Sequence, residues 1–178
     1  MFKIFYPYEY VKNVFSIDYD KLYGKGYRGL IFDIDNTLVH HGDDSTDEVD
    51  ELFKYIQQIG FKTIILSNNS EERVKRFLKN INSPYIYDAK KPATLNYLKA
   101  IEKLGLKKEE AAVIGDQIFT DIWGANKSGI PSILVEYLRK ENETKIGKKR
   151  QIEKIILMFY KRNKACQHRI GNIVKEEV

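Results

Sequence analysis

The chain has 178 residues, 43% hydrophobic and 31% charged, with a formal net charge of +5 and a single cysteine, Cys166. That length suits one domain with a sizeable apolar core. The composition excludes a disordered chain and a disulfide-stapled scaffold, and no run approaches the roughly 18 apolar residues of a membrane span.

The charge is uneven. Residues 137–178 hold 12 Lys+Arg against 5 Asp+Glu, a net of +7, while residues 1–136 carry −2. A basic end on a mildly acidic body points to an anionic partner or surface. One cysteine suggests a reducing compartment, and the cytoplasm is the expected location.

At the N-terminus, "MFKIFYPYEYVKNVF" is amphipathic, but charges interrupt it and no small-residue cleavage site follows. It is not read as a signal peptide. Its aromatics, Phe2, Phe5, Tyr6, Tyr8 and Tyr10, suit either a core or an interface. Next, "RGLIFDI" (28–34) predicts a buried strand. After the polar loop "HHGDDSTD", "DEVDELFKYIQQIG" places Val49, Leu52, Phe53, Ile56 and Ile59 on one helical face. Thr46 or Ser45 can cap its start, and Gly60 suits its stop. "FKTIILS" predicts a second strand. Ser70 then caps "SEERVKRFLKN", with Val74, Phe77, Leu78 and Ile81 as its apolar face.

"PYIY" is a short third strand. "ATLNYLKAIEKLG" predicts a helix with Leu95, Leu98, Ile101 and Leu104 inward, stopped by Gly105. "AAVIGD" is a fourth strand, "TDIWGANKSG" a short helix and "SILVE" a fifth strand. Such alternation predicts an α/β fold, a parallel sheet of about five strands with helices on both faces. Near the end, Ile152, Ile155, Ile156 and Phe159 share a helical face flanked by Lys148, Lys149, Arg150, Lys154, Lys161 and Arg162. The expected organisation is a core over residues 1–140 and a basic helical segment over 141–178. That segment either packs on the core or lies on an anionic membrane.

In open parallel sheets, ligands bind beyond the carboxyl ends of the strands. Asp33 and Asp35 end the first strand, Ser67 and Asn68 the second, and Asp116 the fourth, with Asp121 just beyond. Four carboxylates sharing one region repel unless a cation neutralises them. Hard oxygen donors without a His/Cys set suit magnesium, which keeps positions for water and a substrate phosphate. Lys90 and Lys91 in "AKKP" can add a cation. The set fits phosphoryl transfer, with an aspartate as nucleophile and a second aspartate exchanging protons. His40 and His41 are expected in a solvent-exposed loop.

These segments resemble the motifs of the haloacid dehalogenase (HAD) superfamily. "DIDNT" is similar to its DxDxT motif, "LSNN" to the strand ending in Ser or Thr, "KKP" to the lysine motif, and "GDQIFTD" to GDxxxxD. The resemblance implies a Rossmann-like core with Asp33 as nucleophile and metal ligand. It implies Asp35 as general acid/base that also binds metal through its backbone carbonyl, and Thr37 as support for the loop. Ser67 would bind the phosphoryl group, beside Asn68. Lys91 would neutralise charge, with Lys90 as the alternative lysine. Asp116 would hold Mg2+, with Asp121 as ligand or outer partner.

"YPYEYVKNVFSIDYDKLYGKGYRGLIFDIDNTLV", "SNNSEERVKRF", "YDAKKP" and "VIGDQIFTDIWGAN" further resemble the YqeG-type, subclass IIIA phosphatases, relatives of the mitochondrial phosphatidylglycerophosphate phosphatases. That likeness implies hydrolysis of the terminal phosphate of phosphatidylglycerophosphate, whose headgroup lies at an anionic membrane surface. A nucleic-acid 3′-phosphate is the alternative substrate. Only 30 positions separate Thr37 from Ser67, and 24 separate Ser67 from Lys91. Neither gap has room for a cap domain, so the expected site is open to a phosphate carried on something large.

Overall fold

Successive side chains of a strand face opposite sides of a sheet, and in the centre of this molecule both sides are buried. The computed structural model describes residues 2–138 and 147–176. Its strands are β1 (Glu9–Val11), β2 (Gly29–Phe32), β3 (Lys62–Leu66), β4 (Tyr85–Ile86), β5 (Ala111–Gly115) and β6 (Ser132–Val135). They form one parallel sheet in the order β1-β6-β5-β2-β3-β4. The helices are α1 (Tyr19–Gly24), α2 (Asp47–Ile59), α3 (Glu71–Phe77), α4 (Thr94–Leu104), α5 (Trp123–Ser128) and α6 (Lys148–Arg162).

Leu30 and Phe32 of β2, Ile65 of β3 and Ile114 of β5 face one way, onto Leu22, Val49, Phe53, Ile56, Val74 and Phe77 from α1, α2 and α3. Ile31, Ile64, Leu66 and Val113 face the other way, onto Tyr97, Ile101 and Leu104 of α4 and Ala125 of α5. Strands covered on both faces therefore read as continuous apolar runs. Helix ends follow local chemistry. The Thr46 hydroxyl accepts from the Val49 amide to open α2, and Gly60, at φ 113°, closes it in the left-handed region. Ser70 caps α3 through the Arg73 amide.

The α/β fold with helices on both faces, and no cap domain between β2 and β4, is as expected. The sheet has six strands rather than about five. β1 comes from the aromatic N-terminal segment and is three residues long with Glu9 at its start, too short for a pattern to show. Glu9 is 2% exposed. Its Oε1 accepts from the Ile170 and Gly171 amides at 3.1 Å each, and its Oε2 lies 3.0 Å from His168 Nδ1. Burial pushes its pKa up against these partners.

Three expected faces or spans are corrected. In α4 the buried residues are Tyr97, Ala100, Ile101 and Leu104, whereas Leu95 is 60% exposed and Leu98 also faces solvent. Tyr97 takes the core position because its hydroxyl donates to the Thr120 carbonyl at 2.9 Å, giving an amphipathic ring both an apolar bed and a partner. The stretch "TDIWGANKSG" is not one helix: a π-helical turn over Ile118–Ile122 precedes α5. In α6, only Ile156 of the expected face is buried; Glu153 and Tyr160 are the other buried residues, while Ile152, Ile155 and Phe159 are exposed.

α6 shares a third core with Tyr6, Ile118, Ile122, Leu134 and Cys166. Both terminal segments thus cover the β1–β6 side of the sheet. The expected domain boundary at residue 140 lies outside the described residues.

Candidate active site

The chain runs from β2 to β3 to β4 on one side, then returns to place β5 on the other side of β2. Neighbouring connections diverge at the carboxyl ends of β2 and β5, and such a switch point leaves a crevice. Asp33 follows β2 and Asp116 follows β5. The two strands are in register at Phe32 and Ile114, which sets Asp33 level with Gly115 and Asp116 one residue beyond, at the same sheet edge. Asp121 reaches them from the π-helical turn, a local widening frequent at functional sites. Its carboxylate lies against Gly115, where a Cβ would overlap it, which is why the strand ends in glycine.

Asp33, Asp116 and Asp121 each offer a carboxylate oxygen within 4.8 Å of the others. Lys91 Nζ bridges Asp33 Oδ1 at 2.6 Å and Asp121 Oδ1 at 2.7 Å. The Thr37 hydroxyl lies 3.2 Å from Asp116 Oδ1 and 3.4 Å from Asp33 Oδ2. Asn68 clamps the Lys91 backbone, accepting from its amide at 2.7 Å and donating to its carbonyl at 3.4 Å. Lys90, by contrast, is exposed and 3.9 Å from Asp88.

Two expected residues sit differently. Asp35 is outside the three-carboxylate cluster, although it lines the same cavity of about 240 Å³ with Asn68, Asn69 and Lys91. Its carboxylate accepts from Asn69 Nδ2 at 2.7 Å, Arg73 Nη2 at 2.9 Å and the Gly42 amide at 3.1 Å. These partners hold it outside the three-carboxylate cluster. Ser67 is wholly buried and does not line the cavity. Its Oγ accepts from the amide and the side chain of Asn69, at 3.2 and 2.9 Å. His41 is exposed, as expected, with Nδ1 3.3 Å from Asp35 Oδ2.

Sequence reasoning missed Asn69, Arg73 and Arg150. Asn69 is the last residue of the "SNN" motif itself, of which only Ser67 and Asn68 were expected in the site. Arg73 belongs to a surface-like charged run, yet two of its guanidinium nitrogens are buried without hydrogen-bond partners. Arg150 of α6 reads as one more lysine-rich flank. Its Nη1 donates to the Asp116 carbonyl at 2.8 Å and to Glu153 Oε2 at 3.1 Å, and its Nη2 pairs with the Asp116 carboxylate.

The electrostatics follow from crowding. Burial foremost pushes the Asp33 pKa up to about 6; Lys91 opposes the shift and Asp121 adds to it. Burial likewise pushes Asp116 up to about 7, against Arg150 and with Asp121 and Asp33. Lys91 is buried too, which disfavours its charge, but Asp121 and Asp33 outweigh that and hold it protonated above the usual lysine range. Burial would raise Asp35 as well, yet the Gly42 amide, Asn69 and Arg73 bring it below the usual carboxylate range. Three carboxylates against two cations leave negative charge that a divalent ion would offset. An all-oxygen donor set fits magnesium.

A family profile for haloacid dehalogenase-like hydrolases matches residues 41–129, and the chain belongs to that family. It is similar to the probable phosphatase YqeG of Bacillus subtilis, 40% identical over 161 residues that cover 90% of this chain and 94% of that protein. It is 29% identical over 170 residues to phosphatidylglycerophosphate phosphatase 1, chloroplastic/mitochondrial, of Arabidopsis thaliana, covering 88% of this chain and 47% of that protein. The fold recurs in an uncharacterized protein from Listeria monocytogenes serotype 4b, with a TM-score of 0.55 and 20% identity over 76% of this chain and 99% of that one. The chain is a HAD-family phosphatase.

Proposed function

We propose that the chain is a magnesium-dependent phosphate monoesterase that works through an aspartyl-phosphate on Asp33. Its substrate in this reading is phosphatidylglycerophosphate, and its product is phosphatidylglycerol. The observation that carries the chemistry is Lys91 bridging Asp33 and Asp121 beside Asp116. The lipid is supported by the Arabidopsis relative and by an open site.

An Asp33 carboxylate oxygen attacks phosphorus, the ester P–O bond breaks, and the leaving alkoxide takes a proton from Asp35. Asp35 is held ionised at rest, so the proton it gives to the alkoxide is one it takes up from solvent as the anionic phosphate of the substrate enters beside it. Water then attacks the aspartyl-phosphate and gives a proton back to Asp35. The bond from phosphorus to Asp33 breaks and phosphate leaves. Lys91 spreads positive charge across the nucleophile and the transferring group. Ser67 accepts from the Asn69 amide and side chain and so orders Asn69, which lines the cavity. Thr37 steadies Asp33 and Asp116. A magnesium ion held by Asp33, Asp116, Asp121 and the Asp35 carbonyl would supply charge neutralisation on the phosphoryl oxygens.

No described helix is long and apolar enough to cross a membrane. We place the enzyme as a peripheral protein on the cytoplasmic face of an anionic membrane. Ile152, Ile155, Met158 and Phe159 form an exposed apolar ridge on α6, with Lys148, Lys149 and Lys161 nearby in sequence, a pattern suited to an anionic interface.

Phosphate release in magnesium from phosphatidylglycerophosphate, an oligonucleotide 3′-phosphate and sugar phosphates tests the reading. The highest kcat/KM is expected for the lipid. Preference for the oligonucleotide would replace the lipid, and release that persists in Asp33→Asn would remove the mechanism.

A further inference from the structure

Arg150 stands at a junction. It lines the catalytic cavity and also a second cavity of about 260 Å³ between α6 and the β1–β6 edge. The second cavity has an apolar floor that includes Ile118, Leu134 and Leu157, and it shares Asp116 with the first. Past Tyr10, Lys154 and Leu157 it opens into an outer depression edged by Lys161 and Arg162. A path thus leads from the three carboxylates, past a guanidinium, over apolar side chains, to a cationic rim.

The cations are not scattered. Arg150, Lys154 and Lys161 are spaced by four and seven residues in α6, which puts them on one helical face with Leu157 among them. Arg150 is fixed rather than loose. Asp116 and Glu153 hold it, its guanidinium lies 4.5 Å from the Tyr137 ring centroid, and Glu153 is itself anchored by the Phe119 amide at 3.2 Å. A planar fork held this way is pre-organised for a phosphate. Nothing in hydrolysis of a small monoester calls for a second cation and an apolar floor beyond the reacting group.

We infer that this groove is the subsite for the body of a phospholipid substrate. Arg150 meets the inner, diester phosphate, Lys154 and Lys161 supply the surrounding positive field, and Leu134 and Leu157 take the start of the acyl chains. The inference rests on the lipid reading above and deepens it. A substrate with two phosphates separated by one glycerol would engage both cavities at once. Binding energy from the non-reacting end then positions the reacting phosphate.

Dihexanoyl phosphatidylglycerol carries the diester and chains but no monoester, so it probes the groove without being hydrolysed. The full-length protein, in magnesium, is assayed with p-nitrophenyl phosphate, and the lipid is added as a monomeric inhibitor. Competitive inhibition is expected. In the double variant Lys154→Glu/Lys161→Glu, KI should rise about tenfold relative to KM for p-nitrophenyl phosphate, the scale of two reversed surface charges. Glycerophosphoglycerol, which lacks chains, should inhibit more weakly than the lipid. Absence of inhibition, or KI and KM moving together, overturns the groove; equal inhibition by the chain-free diester overturns its apolar floor. Turnover of phosphatidylglycerophosphate by the wild type is read separately. Inhibition without that turnover keeps the groove and removes the proposed substrate.

Discussion

Arg150 closes on Asp116 from 34 positions further along the chain, joining α6 to the end of β5 through both the carboxylate and the carbonyl of Asp116. Arg150→Ala would leave the buried Asp116 and Glu153 carboxylates without their shared cation. An uncompensated buried polar group costs about 1–3 kcal/mol, so the unfolding free energy from urea titration in metal-free buffer should fall by that scale, with a lower midpoint. Arg150→Lys should rescue it only in part, since an ammonium cannot reproduce the fork. An unchanged midpoint in Arg150→Ala would show that the pair contributes nothing.

The adjacent lysines should separate cleanly. Lys91 meets two carboxylates, whereas Lys90 is turned to solvent. Removing one pre-organised stabiliser of developing charge costs roughly 10²–10³-fold in kcat, and that is the expected loss for Lys91→Ala. Lys90→Ala should stay within about twofold, as surface substitutions do. Equal losses in the two variants would contradict the geometry.

Asp33→Asn should abolish turnover while the protein remains folded, because the substitution keeps the side chain's shape and removes one of three crowded charges. Asp35→Asn should lower kcat by about 10²–10⁴-fold, the usual contribution of a positioned acid or base. Mass spectrometry of the acid-quenched reaction should find phosphate on wild-type Asp33. Near-normal activity in a folded Asp33→Asn protein would sink the assignment.

Asp116→Ala should weaken magnesium binding in calorimetry, and a chelator should abolish activity. Calcium should bind yet fail to support turnover. It accepts more oxygens than magnesium and can engage both oxygens of one carboxylate, which would tie up the attacking atom of Asp33. Full activity in excess chelator is the result that excludes a metal.

Binding to anionic vesicles should be clear at low salt and weaken as salt rises, since the screening length falls from about 10 Å at 0.1 M to 3 Å at 1 M. Each basic residue near such a surface contributes about 1 kcal/mol. Deleting the C-terminal segment is a poor test, because Ile156, Tyr160, Ile170 and Ile173 lie in the core. Ile155→Glu/Phe159→Glu alters only exposed positions. It should reduce co-sedimentation with vesicles, and unchanged binding would free α6 of that role.

Five of the six strands and the capped starts of α2 and α3 were legible in the amino-acid sequence by itself, because a strand buried on both faces must be apolar throughout and a helix end needs a capping group. The class of enzyme was legible for a related reason. Asp33, Ser67 and Asp116 each sit just past a strand and Lys91 follows β4 after a short loop, and parallel strands deliver their carboxyl ends to one edge. Only the tertiary structure decided which neighbours those residues meet. Whether Asp35 joins Asp33 or turns to Arg73 depends on where α3 packs. That Tyr97 rather than Leu95 faces inward depends on the Thr120 carbonyl across the fold. Arg150 is a basic residue in a basic tail until α6 docks beside β6 and carries it to Asp116. Local periodicity records which face of an element is apolar, but it holds no information about which distant charge will be brought within hydrogen-bonding reach.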